Sequence, residues 1–262
     1  MRPLPSVIAF LLFTSSLLIF FFVQFSVQDY TLCCYPFEYS HKRYCPQVDS
    51  QIYYKSNYSE VYTMFAQRDV THQRARYDVY DYFKNGQQRD SYTTVVFRSQ
   101  VDKMAYVFTN TSSSCTCYKF NPTGPVVSEH CVEVYDDSVV NKTQLGGIPM
   151  TRVMNNDKYV ESNLLEEYHV YATDTGLGDH TCWVFLETFF ITSTSSDDTT
   201  RFSAIQSYYD QSPKVDPNAF GVDVKCPPPE KCDLIQENSA VLLELKKLEH
   251  GHVYRERSRK RN

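Results

Sequence analysis

Nine cysteines placed behind an apolar N-terminal run constrain this chain more than any other feature: Cys33, Cys34, Cys45, Cys115, Cys117, Cys131, Cys182, Cys226 and Cys232. Arg2 precedes an apolar run from Val7 to Val23 that is interrupted by Thr14, Ser15 and Ser16. A basic start followed by such a run reads as a secretory leader over residues 1–28, cut between Ser26 and Asp29. The run is long for a leader, so an uncleaved anchor is the alternative. Behind a leader the cysteines meet an oxidising lumen, where disulfides are the expectation. The odd count leaves one thiol over, or one bridge between chains. Zinc is the competing use of Cys115-x-Cys117 and Cys226…Cys232, but neither has the usual knuckle spacing and no paired histidine stands nearby.

Three sequons fit the same compartment: Asn57-Tyr-Ser, Asn110-Thr-Ser and Asn141-Lys-Thr. Asn110 lies close to Cys115, which makes it the poorest acceptor of the three. Without Arg2 the chain carries 25 bases against 31 acids, and the balance is lopsided. Seven bases (Lys246, Lys247, Arg255, Arg257, Arg259, Lys260 and Arg261) fall after residue 245 with only two acids, Glu249 and Glu256. The body before them is strongly acidic, which argues against nucleic acid as a partner.

The chain holds 21 Tyr, 17 Phe and 1 Trp, a composition suited to pleated, half-buried surfaces. Candidate strands are 61–64, 75–83, 92–98, 104–108, 132–135, 167–172, 182–192 and 201–209. Asn85-Gly86 is a hairpin signal. Residues 138–149, with Gly146-Gly147 and Pro149, read as a loop, Gly176 and Gly178 as a turn, and 193–200 as a polar turn. Strands at this spacing predict an all-β fold of two stacked antiparallel sheets, a half-open barrel or sandwich. One helix is expected, with Asp233 as its cap, Leu234, Val241, Leu242, Leu245 and Leu248 at helical spacing, and Gly251 as its stop. It either packs on the domain or serves a partner or a membrane surface. The domain plan is therefore a β domain over 29–232, a helix over 233–250 and a basic disordered tail over 251–262, suited to anionic lipid or sulfated glycan.

Taken in order, several stretches resemble the ependymin-related family. The chain after the leader opens Cys33-Cys34-Tyr35-Pro36-Phe37, similar to the family's Cys-x-x-Pro. The stretch from Asp69 through Thr71, His72, Gln73 and Arg74 to Arg76 resembles its Q-R-x-R segment, with Arg68 where Tyr is usual. Tyr106 runs toward Cys115 as an apolar strand does toward the family's central cysteine. The C-terminal half adds Tyr168, His180-Thr181-Cys182-Trp183, Glu187-Thr188-Phe189, Arg201-Phe202, Ile205, Asp216-Pro217-Asn218-Ala219-Phe220 and Cys226. The resemblance runs from about Cys33 to Cys226. The chain lacks the family's early Trp, and Cys45, Cys117, Cys131 and Cys232 exceed its core cysteine set.

This resemblance implies two sheets curved around an apolar cavity, in a secreted or lysosomal glycoprotein that is often a homodimer. It implies lipid binding, calcium binding and cell–matrix adhesion. It pairs Cys33 or Cys34 with Cys182 and Cys115 with Cys226, and leaves Cys45 or Cys131 for Cys232.

No nucleophile elbow, zincin motif, P-loop or EF-hand loop occurs in the sequence, so a binder is expected, not an enzyme. The seven histidines are scattered, and His169 alternates within a strand. Acidic turns at Asp136-Asp137, Asp197-Asp198 and Asp174…Asp179 offer oxygens for Ca2+, against their plainer role as solvated turns. Alternate positions on the matched strands (Val95, Phe97, Tyr106, Phe108, Val170, Val184, Leu186, Phe189 and Phe202) either line a lipid pocket or fill a core. The leading expectation is a binder of lipid or another hydrophobic ligand. The alternative is an adhesive matrix glycoprotein without one, and a hydrolase with an unrecognised site is a distant third.

Overall fold

The computed structural model describes residues 30–50, 58–134, 138–159, 164–177, 180–193, 201–236 and 239–250. The leader, the tail, Asn57 and the acidic pairs Asp136-Asp137 and Asp197-Asp198 lie outside the described residues. The strands are β1 (Tyr30–Cys34), β2 (Glu38–Ser50), β3 (Tyr58–Asp69), β4 (Arg74–Lys84), β5 (Gln87–Gln88), β6 (Tyr92–Arg98), β7 (Ala105–Thr111), β8 (Cys115–Phe120), β9 (Cys131–Val134), β10 (Val139–Leu145), β11 (Ile148–Tyr159), β12 (Leu164–Asp174), β13 (Cys182–Ser193), β14 (Arg201–Ser212) and β15 (Asp233–Leu234). One helix, α1 (Ala240–His250), follows.

The fold is all-β, as expected, with two sheets and a C-terminal helix. The large sheet runs in the order β10-β11-β12-β13-β14-β2-β3-β4-β6-β7-β8-β15, with β5 paired to β4, and does not close into a barrel. Every pairing is antiparallel except β15 on β8. The second sheet is the ribbon β1–β9.

Partners opposite one another in a ladder share a face. One face can therefore be followed across the large sheet. It runs from Val153 opposite Val170 and Val170 opposite Glu187, through Gln206 and Tyr208, to Arg43 opposite Met64 and on to Val79. Two covers bury this face. Cys33, Val132 and Val134 of the ribbon pack on Val153, Tyr168, Val170, Val184 and Phe189. Leu242, Leu245 and Leu248 of α1, with Val126 and Val127, pack on Cys45, Met64, Ala66, Tyr77, Val79, Val96 and Val107. On the opposite face of β6–β8, Phe97, Tyr106 and Phe108 are covered by the 216–232 strap through Val222, Cys226 and Cys232.

Two expectations need correction. Residues 138–149 are not a loop: Val139–Leu145 and Ile148–Pro149 form the arms of a hairpin. Gly146 and Gly147 both take positive φ, +58° and +82°, which is the geometry of a tight primed turn and marks a hairpin where a loop was expected. The helix begins at Ala240, not after Asp233. Asp233 and Leu234 instead pair with Tyr118 and Lys119, because the Cys117–Cys232 bridge holds them against β8.

Four disulfides form: Cys33–Cys182, Cys34–Cys131, Cys115–Cys226 and Cys117–Cys232. The first and third are pairs that the resemblance implied. The expected partnership of Cys232 with Cys45 or Cys131 is overturned: Cys131 lies opposite Cys34 in the β1–β9 ladder, and Cys45 is free and buried. Each bridge closes a loop of 97 to 149 residues and contributes about 2–4 kcal/mol. Among the described residues no helix is long and apolar enough to cross a membrane.

Candidate functional site

The shared face is apolar at both ends and polar in the middle. On β2 the inward positions are Tyr39, His41, Arg43 and Cys45, all at most 3% exposed. Their neighbours on β3 are Arg68, Ala66, Met64 and Tyr62 in that order. Two guanidiniums, an imidazole and a thiol thus lie under the covers.

Each charge has fixed partners. Arg68 donates to Tyr39 Oη at 2.6 Å, to the Ser128 carbonyl at 2.7 Å and to Glu249 Oε1 at 2.6 Å. That Glu249 oxygen also accepts from Ser128 N at 2.9 Å and Ser128 Oγ at 3.0 Å. Arg43 donates to the Leu248 carbonyl at 2.9 Å and to Tyr62 Oη at 3.4 Å. On β13, Glu187 accepts from Tyr208 at 2.6 Å and Tyr168 at 3.0 Å, with His130 Nε2 at 3.5 Å. Burial alone raises the Glu187 pKa, but these donors hold it below the ordinary carboxylate value. Removing one member of such a buried set strands the other, at about 3–5 kcal/mol.

His41 is different. Its ring stacks on Tyr35 and Tyr39, and both of its nitrogens are buried with no hydrogen-bond partner. Gln206 Nε2, on the neighbouring β14, is likewise without a partner. Burial first, then the nearby Arg43, His130 and Arg68, drive the His41 pKa well below 6.5, so the ring is neutral. Burial pushes the Cys45 thiol up to about 11 against the pull of Arg43.

The nine residues expected either to line a pocket or to fill a core fall at separate places in the fold. Val170, Val184 and Phe189 sit in the core beneath the ribbon. Phe97, Tyr106 and Phe108 stack together on the opposite face. Val95 and Phe108 border a cavity of about 330 Å³, whose lining also includes Arg76, Asn110 and Asp223. Leu186 lies opposite Ser207, on the other face from Glu187, and Phe202 belongs to β14 with its side chain outside those described. A larger, open cavity of about 590 Å³ lies over β10–β12, with Lys142, Gln144, Met150 and Asp174 in its lining.

The sequons also separate. Asn141 is exposed in the middle of β10. Asn110 is half-buried on β7, opposite Cys115, and its Nδ2 donates to Asp223. Asp174 lies in its own turn and accepts from Gly176 N. His169 is half-buried, 3.4 Å from an Arg152 nitrogen, and both burial and that arginine lower its pKa. Glu38, Asp69 and His72 bring three ligand atoms within 4.8 Å of one another. The Asp69 carboxylate is already taken by His72 N, His72 Nδ1 and Arg74 Nε, which close the β3–β4 turn.

That turn makes the 69–76 segment a bracket. Gln73 Nε2 donates to the Val127 carbonyl and Gln73 Oε1 accepts from Val126 N, while Arg76 Nη1 donates to the Ala219 carbonyl. Arg74 sits 4.4 Å over the Phe220 ring.

Compared with known proteins, the chain matches no family model and no curated protein.

Proposed function

We propose that this chain is a secreted or lysosomal ependymin-related glycoprotein that binds an anionic lipid-like amphiphile and is not an enzyme. The observation that carries this reading is the composition of the long covered face. An apolar floor of Met64, Ala66, Tyr77, Val79 and Val96 continues directly into two buried guanidiniums, Arg43 and Arg68. That combination is complementary to a molecule with an apolar body and an anionic head. The family resemblance supports it through the Cys33–Cys182 and Cys115–Cys226 bridges. A binding role also fits a site whose thiol is held protonated and whose His41 has no acceptor to orient it as a base.

A second reading, an adhesive matrix glycoprotein and homodimer, is favoured by the end strand β10 and its hairpin, where Val139, Val140, Leu145 and Ile148 are 38–45% exposed. Ca2+ enters either reading only as an added condition.

Co-sedimentation with vesicles rich in phosphatidylserine tests the first reading. It compares the mature glycosylated protein with a chain ending at His250, at pH 5 and pH 7, with and without Ca2+. Binding that survives loss of the basic tail supports a site in the folded domain. Binding lost with the tail is charge attraction alone and counts against it. Absence of binding by both chains favours the adhesive reading.

A further inference from the structure

An isolated helix as short as the 11 residues of α1 is marginal in water, so α1 owes its order to what it covers. Its apolar face, Leu242, Leu245 and Leu248, is at most 8% exposed and fills the floor made by β2–β7. Its C-terminal end then meets the two arginines. The carbonyl of Leu248 is among the last four of the helix, which have no partner within it and carry the negative end of the helix dipole; it accepts from Arg43. The next residue, Glu249, places its carboxylate on Arg68.

The order of these groups is an apolar body ending in a carboxylate, which is the order of groups in a fatty acid. We propose that α1 is a tethered occupant of a ligand site, and that a free single-chain amphiphile with a carboxylate head displaces it. This rests on the lipid-binding reading above and names its site and its gate.

Three further observations favour displacement over permanent packing. Arg68 keeps two partners from outside α1, Tyr39 Oη and the Ser128 carbonyl, and the Ser128 N and Oγ donors now on Glu249 pass to an incoming carboxylate when the helix leaves. Among the described residues Glu249 is its sole carboxylate partner, so an incoming carboxylate replaces like with like. The chain before α1 is pinned independently. The Cys117–Cys232 bridge and the Ile235 N bond to the Lys119 carbonyl anchor it, and α1 begins five residues beyond Ile235. The helix can therefore swing out with the sheet and its four disulfides intact.

Hydrogen exchange on the full chain tests the proposal, with oleate as probe and monoolein as its uncharged counterpart. Oleate is expected to speed exchange of the α1 amides while the β2–β4 amides stay protected, and monoolein to leave them unchanged. Glu249→Gln keeps the shape of the tether but removes its charge, and is expected to tighten oleate binding roughly tenfold. Arg68→Gln added to Glu249→Gln is expected to abolish that gain. Oleate binding with α1 exchange unchanged or slowed places the ligand elsewhere; it overturns the gate and leaves the lipid reading standing. Equal binding of oleate and monoolein overturns the assignment of the arginines. Absence of oleate binding to both the native chain and Glu249→Gln overturns gate and lipid reading together.

Discussion

The His41 ring meets Tyr208 nearly edge-on, with 5.3 Å between centroids, and neither of its nitrogens has a hydrogen-bond partner. Charging this ring inside the fold sets it against Arg43, His130 and Arg68, while the unfolded chain takes up the proton freely. A folded-state pKa below the unfolded one means that stability is complete above about pH 6.5 and falls with pH below it, by about 1.4 kcal/mol per pH unit at most. His41→Phe, which keeps a ring among the tyrosines, is expected to flatten that slope. Urea midpoints of both proteins at pH 7, 6 and 5 measure it. Glu187, whose pKa is also depressed, loses its contribution only in the more acidic carboxylate range, so the two windows separate.

Cys45 is fully buried, and its thiol is held protonated by burial. It is expected to resist alkylation by iodoacetamide at pH 8 in the folded protein and to react once per chain in denaturant. Intact mass before and after denaturation gives the count. Labelling of the native protein at the rate of a free thiol excludes this placement.

The Tyr168 and Tyr208 hydroxyls converge on Glu187, which is 2% exposed. Glu187→Ala strands both donors and is expected to cost about 3–5 kcal/mol, whereas Glu187→Gln keeps an acceptor and costs less. Thermal unfolding of the two variants checks the order.

Asn141 projects from an exposed strand, while the Asn110 amide nitrogen is engaged with Asp223. A glycan is expected on Asn141 and not on Asn110. Enzymatic release in heavy-oxygen water, followed by peptide mass analysis, reads both sites.

Cys117→Ala together with Cys232→Ala removes the bridge that seats β15 on β8. The pair is expected to cost about 2–4 kcal/mol. Hydrogen exchange at Ile235 and in α1 is expected to rise more than in β12.

Four strands with apolar runs or clean alternation are legible in the sequence, whereas β11, with Met150 and Val153 inward, is hidden behind Gly146-Gly147 and Pro149. β4, β6, β12 and β13 alternate or run apolar, and each was placed within a few residues. β2 was not, because its inward series is Tyr39, His41, Arg43 and Cys45, and charged inward residues erase the period that marks a half-buried strand. The same feature hid the site. Arg43 and Arg68 look like surface residues in a sequence, and only the register of β2 against β3 brings them to one face. Glu249 lies 181 residues from its partner Arg68, beyond any local pattern. The odd cysteine was a visible signal, yet its burial follows from packing under α1 and not from spacing.

The large sheet has two ends, and they differ in kind. At one, the two-residue β15 is tied by a disulfide along β8; at the other, the seven residues of β10 have a strand on one side only among the described residues. The edge that another strand could join is therefore long at one end and short at the other. Strand addition is thus expected at β10 before β15, and a β10-to-β10 contact about a two-fold axis closes on itself. A glycan on Asn141 would stand on that same strand and hinder such a contact.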